Sequence, residues 1–253
     1  MNYIDKLVSK LIKAPLSIIQ FNNILKTSDT FFDNIELEKE LLISNGLPLY
    51  FTDDDVYLKT TKNRLSEQVF CIVDIETTSS NPKNGQIIEI GAIKFKNNTI
   101  IETYESLVSA SYIPAKVQEI TGIDLEMLKN APNIKSVLEE FKLFLEDDVF
   151  IAHNISFDYK FINDSFEKYN LGKLYNRKLC TIELSKRSFY AKRYGLEHLK
   201  KQFNIDDCAH HRAFSDAIST AKIFEITLNN IDKQLNTEEL IKFSHQAPIK
   251  ENM

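Results

Sequence analysis

The stretch FCIVDIETTSS, residues 70–80, sets two carboxylates, Asp74 and Glu76, inside an apolar run. Phe70, Cys71, Ile72, Val73 and Ile75 have the pattern of a buried strand. Side chains alternate along a strand, so Asp74 and Glu76, two apart, point to one face. Two like charges that close repel each other, and burying either without a partner is expensive. A positive partner is therefore required: a divalent cation, or a pair of well-placed Lys or Arg side chains.

Two further acids can join them. Asp158, in AHNISFD, follows an apolar strand and falls in the first turn of a helix. Asp216, in HHRAFSDA, falls near the start of the last long helix. Taken singly, an acid in a helix's first turn complements the dipole, and an acid beside a core stripe is its solvated flank. Together, four carboxylates from distant segments can converge at one edge of a sheet. Hard oxygen ligands without Cys or clustered His favour magnesium or manganese over zinc. Two such ions are a known device for in-line phosphodiester displacement.

That chemistry also needs a base. His210 and His211 precede Asp216, and neutral imidazole accepts a proton near neutral pH. On one helix, residues five apart sit about 140° from each other. His211 and Asp216 therefore face one site only if His211 lies in the loop before the helix. His153, at a strand end beside Asn154, reads as a structural hydrogen-bonding residue.

The elements that must position these groups follow from periodicity. Strands are expected over QVFCIVDIET, QIIEIGAIKFK and TIIETYESLV, joined by short turns as an antiparallel meander. Helices are expected at PAKVQEI and APNIKSVLEEFKLFLE, then a strand at DDVFIAHN leading into the helix SFDYKFINDSFEKY. A helix over 213–230 presents Phe214, Ala217, Ala221, Phe224 and Leu228 as a core stripe. The class is α/β, a mixed central sheet flanked by helices.

Residues 1–66 have a different texture. YIDKLVSKLIK, PLSIIQFNNILKTS (with Pro15 in a first helical turn) and NIELEKELLISNGLP read as helices, and LYFTDDDVYLKT as a hairpin. Three short helices and a hairpin resemble a winged-helix unit. Its acids and bases are roughly balanced, which fits a partner-docking or covering module better than a DNA-binding one. Residues 67–230 form the second domain, and 231–253 read as a polar tail.

VDIETT, HNISFD and HHRAFSDA, in this order, resemble the DEDD superfamily of 3′→5′ exonucleases, in the subgroup with a histidine base. IIEIGAIKF and ITGI are similar to the proofreading epsilon subunit and exonuclease domain of bacterial replicative polymerases. The resemblance implies a ribonuclease H-like exonuclease fold and two Mg2+ or Mn2+ ions. It implies Asp74 bridging both ions, Glu76 and Asp216 on the water-activating one, Asp158 on the second, and His211 as base. Thr77 would meet the terminal nucleotide and Asn154 would orient the site. The implied reaction releases nucleoside monophosphates from single-stranded or frayed DNA 3′ ends. Proofreading beside a polymerase subunit or sliding clamp is the first reading; an RNA 3′ exonuclease and an inactive interaction scaffold are the alternatives.

Residues 176–201 are the most basic stretch, with Phe189, Tyr190 and Tyr194 interleaved. This pattern suits a single-strand groove, with Lys192 and Arg193 on phosphates, or equally a solvated helical face whose aromatics serve the core. The net charge of −5 argues against a sequence-independent DNA coater, but acids gathered round metal ions lower it without repelling phosphate. No apolar run reaches the roughly 20 residues that span a bilayer. Cys71, Cys180 and Cys208 are far apart and odd in number, as reduced thiols of a cytosolic protein are.

Overall fold

The structure is a computed structural model that describes residues 3–28, 34–205 and 211–249. The first module runs α1 (Tyr3–Leu11), β1 (Leu16–Ser17), α2 (Ile18–Leu25), α3 (Ile35–Ser44), β2 (Leu49–Phe51) and β3 (Asp55–Leu58). The three helices and the hairpin are where periodicity puts them. Pro15 does not open α2, however. Ser17 caps it instead, exchanging hydrogen bonds with Gln20 as a capping box. The residues just before it form β1, which pairs with β3 and makes a sheet of order β1-β3-β2. Leu7, Leu11, Phe21, Leu25, Leu42 and Val56 make its own small core.

A five-stranded sheet dominates the rest. Its strands are β4 (Phe70–Thr77), β5 (Ile87–Lys96), β6 (Thr99–Leu107), β7 (Val149–Ala152) and β8 (Lys178–Cys180), in the order β6-β5-β4-β7-β8. The meander β4-β5-β6 is antiparallel, and β7 and β8 add in parallel. Short helices α4 (Ala115–Thr121) and α5 (Leu125–Leu128) precede α6 (Ile134–Leu145), and α7 (Ile155–Lys168) follows β7. After β8 come α8 (Thr181–Ser188), α9 (Leu196–Phe203), α10 (Ala213–Asn229) and α11 (Thr237–Phe243). No helix among the described residues is long and apolar enough to cross a membrane.

Alternation along β4 decides the layers. Cys71, Val73 and Ile75 pack under α6 and α7, against Phe141, Phe161 and Phe166. Phe70 and Ile72 face the other way, against Ala217, Ala221 and Phe224 of α10. Asp74 and Glu76 continue that second face. The ring of Phe224 lies 5.0 Å from Phe70 and 5.8 Å from Phe95, so the far half of α10 is anchored at the start of β4. Its first turn therefore lies over the end of β4, where the acids are.

The segment 231–253, expected to be a polar tail, is partly buried: α11 and Ser244 pack onto the sheet, while 245–249 are exposed. Leu240 and Ile241 of α11 join the core cluster of Phe70 and Phe224. Glu238, 7% exposed, accepts from Arg177 Nε (3.0 Å) and Thr60 Oγ1 (3.0 Å), tying the first module to the sheet. The sequence carried a signal for this: Asn236 and Glu239 form a capping box ahead of the apolar pair. Lys59 on Asp147 and the Asn45 carbonyl on the Tyr175 amide (2.7 Å) complete the seam. All these contacts lie at the end of the sheet where β4 and β7 begin. Six residue steps along the strand take Phe70 to Glu76, about 20 Å.

Candidate metal and active site

Asp74, Glu76 and Asp216 each bring a carboxylate oxygen to one spot, all within 4.8 Å of one another. The first two come from the end of β4 and the third from the first turn of α10. The close approach of helix and sheet needs Gly91. It pairs with Asp74 across β4 and β5, and a Cβ there would lie 2.2 Å from the backbone nitrogen of Phe214. Asp216, expected on a flank of its helix or in a cleft, is 7% exposed because that flank faces the strand.

Asp158 enters from the opposite layer, in the first turn of α7. It is buried, and its carboxylate accepts the backbone N–H of Ile75. Its oxygens stand outside the group of three, but its charge is the largest electrostatic influence on Asp74. All four acids therefore gather at one end of the sheet.

The electrostatics are those of a site that needs cations. Burial pushes the Asp74 carboxyl well up, and the charges of Asp158, Asp216, Glu76 and Glu89 add to it. Burial, with Glu89, Asp216 and Asp158, raises Glu76 to about 8; Arg212 opposes the shift. Burial raises Asp158 to about 7, against the hydrogen bonds from its own and the Ile75 amides. The nearby bases answer only part of this charge: Arg212 binds Glu89, and Lys200 is shared between Glu197 (2.8 Å) and Asp216 (3.9 Å). A cluster of buried and half-buried carboxylates with only oxygen donors fits a hard divalent cation.

His211 lies two residues ahead of α10, in left-handed backbone (φ 54°), and is exposed. It is thus off the helix, as a common site with Asp216 requires. His210 and Cys208 lie outside the described residues. His153 is a structural residue, as expected. Its Nε2 donates to the Tyr194 carbonyl (2.9 Å), so Nδ1 accepts from the Thr181 hydroxyl (2.8 Å), and burial lowers its pKa to about 4.

Thr77 is half-buried at the end of β4 and donates to the Ser79 carbonyl (2.9 Å). Asn154 takes a left-handed backbone (φ 98°) between β7 and α7, with its Oδ1 accepting from Ser156. It lines an open cleft of about 410 Å³ with Ser80, Asn81 and Phe157, beside the turn that carries Asp158. Part of the basic stretch is paired within the chain. Arg187 and Lys186 bind Glu183, Arg177 binds Glu238, and Phe189 and Tyr194 pack around Leu199 and Ile223. Lys192 and Arg193 stay exposed, and neither makes an ion pair among the described residues.

Sequence reasoning missed Glu89 and Arg212. Glu89 lies opposite Glu76 in the strand register and is fully buried. A lone acid in the apolar run IIEIGAI is the same signal that singled out Asp74, and it was legible there.

The family model for RNase T-type exonucleases matches residues 71–224. The DNA polymerase III PolC-type of Caldanaerobacter subterraneus is 40% identical over 182 residues, which cover 71% of this chain and 13% of that protein. The Staphylococcus aureus PolC-type polymerase is 32% identical over 216 residues, 80% of this chain and 14% of the relative. The chain thus spans about one seventh of those relatives. Among solved structures, exonuclease X with 5′-overhanging duplex DNA superposes with a TM-score of 0.55 at 22% identity, covering 69% of this chain and 99% of that one. E. coli exonuclease I with a dT13 oligonucleotide gives 0.58 at 18%, covering 64% and 41%. These likenesses establish the ribonuclease H-like exonuclease fold. With its fold and its acids in place, the chain belongs to the DEDD 3′→5′ exonuclease family and is similar to the exonuclease region of PolC-type polymerases.

Proposed function

We propose that this protein is a metal-dependent exonuclease that removes nucleotides from single-stranded or frayed DNA 3′ ends, as a proofreading partner of a bacterial replicative polymerase. The observation that carries the reading is the meeting of Asp74, Glu76 and Asp216 within 4.8 Å, from segments far apart in the chain. The similarity to PolC-type polymerases favours DNA over RNA and supports a place beside a polymerase or its clamp, in the cytoplasm.

Asp74, Glu76 and Asp216 would hold one Mg2+ or Mn2+, and Asp74 with Asp158 a second. Bound there, the two ions supply the positive charge that activates water and steadies the leaving oxygen. His211 accepts the proton of the attacking water, and its place in an exposed turn lets it approach from the solvent side. Thr77 and Asn154 border the terminal nucleotide, and Lys192 and Arg193 neutralise phosphates further along the strand. Hydrolysis of the last phosphodiester adds water across the P–O3′ bond, freeing a nucleoside 5′-monophosphate and leaving a new 3′-hydroxyl.

The test compares single-stranded DNA, mismatched duplex DNA and short RNA, all labelled at the 5′ end, with magnesium and with EDTA. Magnesium-dependent shortening from the 3′ end, fastest on single-stranded or mismatched DNA, is the expected result. Faster trimming of RNA would replace the DNA reading with an RNA 3′ exonuclease. No cleavage of any substrate would leave the scaffold reading.

A further inference from the structure

One buried acid at the site is not available to a metal. Glu89 has no exposed surface, and both its oxygens are occupied. Oε1 accepts from Arg212 Nε at 2.9 Å and from Nη2 at 2.5 Å. Oε2 accepts the Ala213 backbone N–H at 2.9 Å and Arg212 Nε at 3.2 Å. One carboxylate therefore pins two successive residues where the loop becomes α10. A buried charge demands such pairing, and the bidentate fork fixes the direction from which the chain arrives.

Those two residues sit between the groups that matter. His211 precedes Arg212 in left-handed backbone, Arg212 is extended (φ −127°), and α10 starts at Ala213. The Arg212 carbonyl accepts the N–H of Asp216 at 2.9 Å, closing the first turn of the helix. Arg212 is thus held through its side chain by the sheet and through its backbone by Asp216. Glu89 is itself opposite Glu76 in the strand register.

We propose that Glu89 and Arg212 form a positioning latch that fixes His211 and Asp216 against Asp74 and Glu76. Neither member touches the reacting atoms. This rests on the proposed reading of the site, in which those four residues hold metal and base. Without the latch, β5 no longer sets the turn that carries the base and the third carboxylate.

The experiment uses the full chain with Arg212→Ala, Arg212→Lys and Glu89→Gln. Three quantities are read: kcat and KM on 5′-labelled single-stranded DNA, Mn2+ binding from the loss of the free-ion electron paramagnetic resonance signal, and thermal unfolding. Arg212→Ala is expected to lower kcat by about a hundredfold with KM within about twofold, as a small misplacement of reacting groups does. Its Mn2+ half-saturation is expected to rise by about tenfold, the usual effect of losing a residue that orients ligands. Arg212→Lys and Glu89→Gln, which keep part of the contact, are expected to fall between the two. If Arg212→Ala does not fold, these milder variants carry the test. Folded variants with kcat and Mn2+ titration unchanged would overturn the latch, and so would a rise in KM alone. A parent protein that cleaves nothing would remove the exonuclease reading, while the Mn2+ titration would still report on the latch.

Discussion

The two ends of the central sheet supply their acids with counter-charge to different extents. Where β4 and β7 begin, Glu238 has Arg177, Asp147 has Lys59, and Asp148 has Lys94 at 3.5 Å, although burial still raises the Asp148 carboxyl to about 7. Where β4 ends, Asp74, Glu76, Asp158 and Asp216 face one another; Lys200 is shared between Glu197 (2.8 Å) and Asp216 (3.9 Å), and Arg212 is held by Glu89. The first arrangement gives each of these acids a base and holds the small module to the sheet. At the second, four acids have one shared lysine, a balance that bound cations would complete. Burial alone marks neither end as functional; what differs is how much of the counter-charge the chain supplies.

The largest effects should separate the two ends. Asp74→Ala is expected to reduce turnover by about a thousandfold, roughly 4 kcal/mol on the barrier, while thermal unfolding in EDTA is unchanged or moves upward, since a repelling buried charge is gone. Normal cleavage by this variant would misplace the site. Glu238→Ala should do the reverse, lowering the stability read by urea unfolding by about 3 kcal/mol, because it strands a partly buried Arg177. Its kcat at 25 °C should match the parent; a large loss would mean that the two ends are coupled.

Gly91→Ala tests the contact that brings α10 to the strand. The added methyl meets backbone, so the helix must shift, at a cost of about 2 kcal/mol in urea unfolding together with a drop in kcat. An unperturbed variant would show that the approach is not tight.

A pH series sharpens the contrast through the metal. The folded protein raises Glu76 from the ordinary 4.5 to about 8 and Asp158 from 3.8 to about 7. Groups with raised values favour folding at low pH, and that contribution is lost as pH climbs through the folded values. In EDTA, stability at this site should therefore fall between pH 5 and 8. Mn2+ binds the ionised form, so its effect on the melting temperature should grow over the same range. Equal Mn2+ effects at pH 5 and pH 8 would contradict the assignment. The smallest expected change is from Lys192→Glu with Arg193→Glu, which should weaken binding of single-stranded DNA and flatten its salt dependence, since two phosphate contacts are lost.

Much of the arrangement of these acids is legible in the sequence. Asp74 and Glu76 share a face by strand alternation alone, and the stripe Ala217–Ala221–Phe224 fixed which side of its helix would be buried. His211 had to precede its helix for a geometric reason, and it does. The basic run was legible only as composition. Its neighbours Glu183 and Glu197 lie three or four residues from Lys186, Arg187 and Lys200, and those helical pairs removed three bases from the surface count. The helix at 237–243 was too short for periodicity, though its cap was there to be read.

Local chemistry thus determined the elements, the face on which each acid lies, and the demand for a counter-ion, since alternation and helical pitch act over a few residues. Only the tertiary structure decided which acids are answered by a base. Glu89 finds Arg212 across 123 residues and Glu238 finds Arg177 across 61. Pairing at that range depends on where strands and helices are packed against each other, and a low-dielectric interior makes the presence or absence of such a partner decisive.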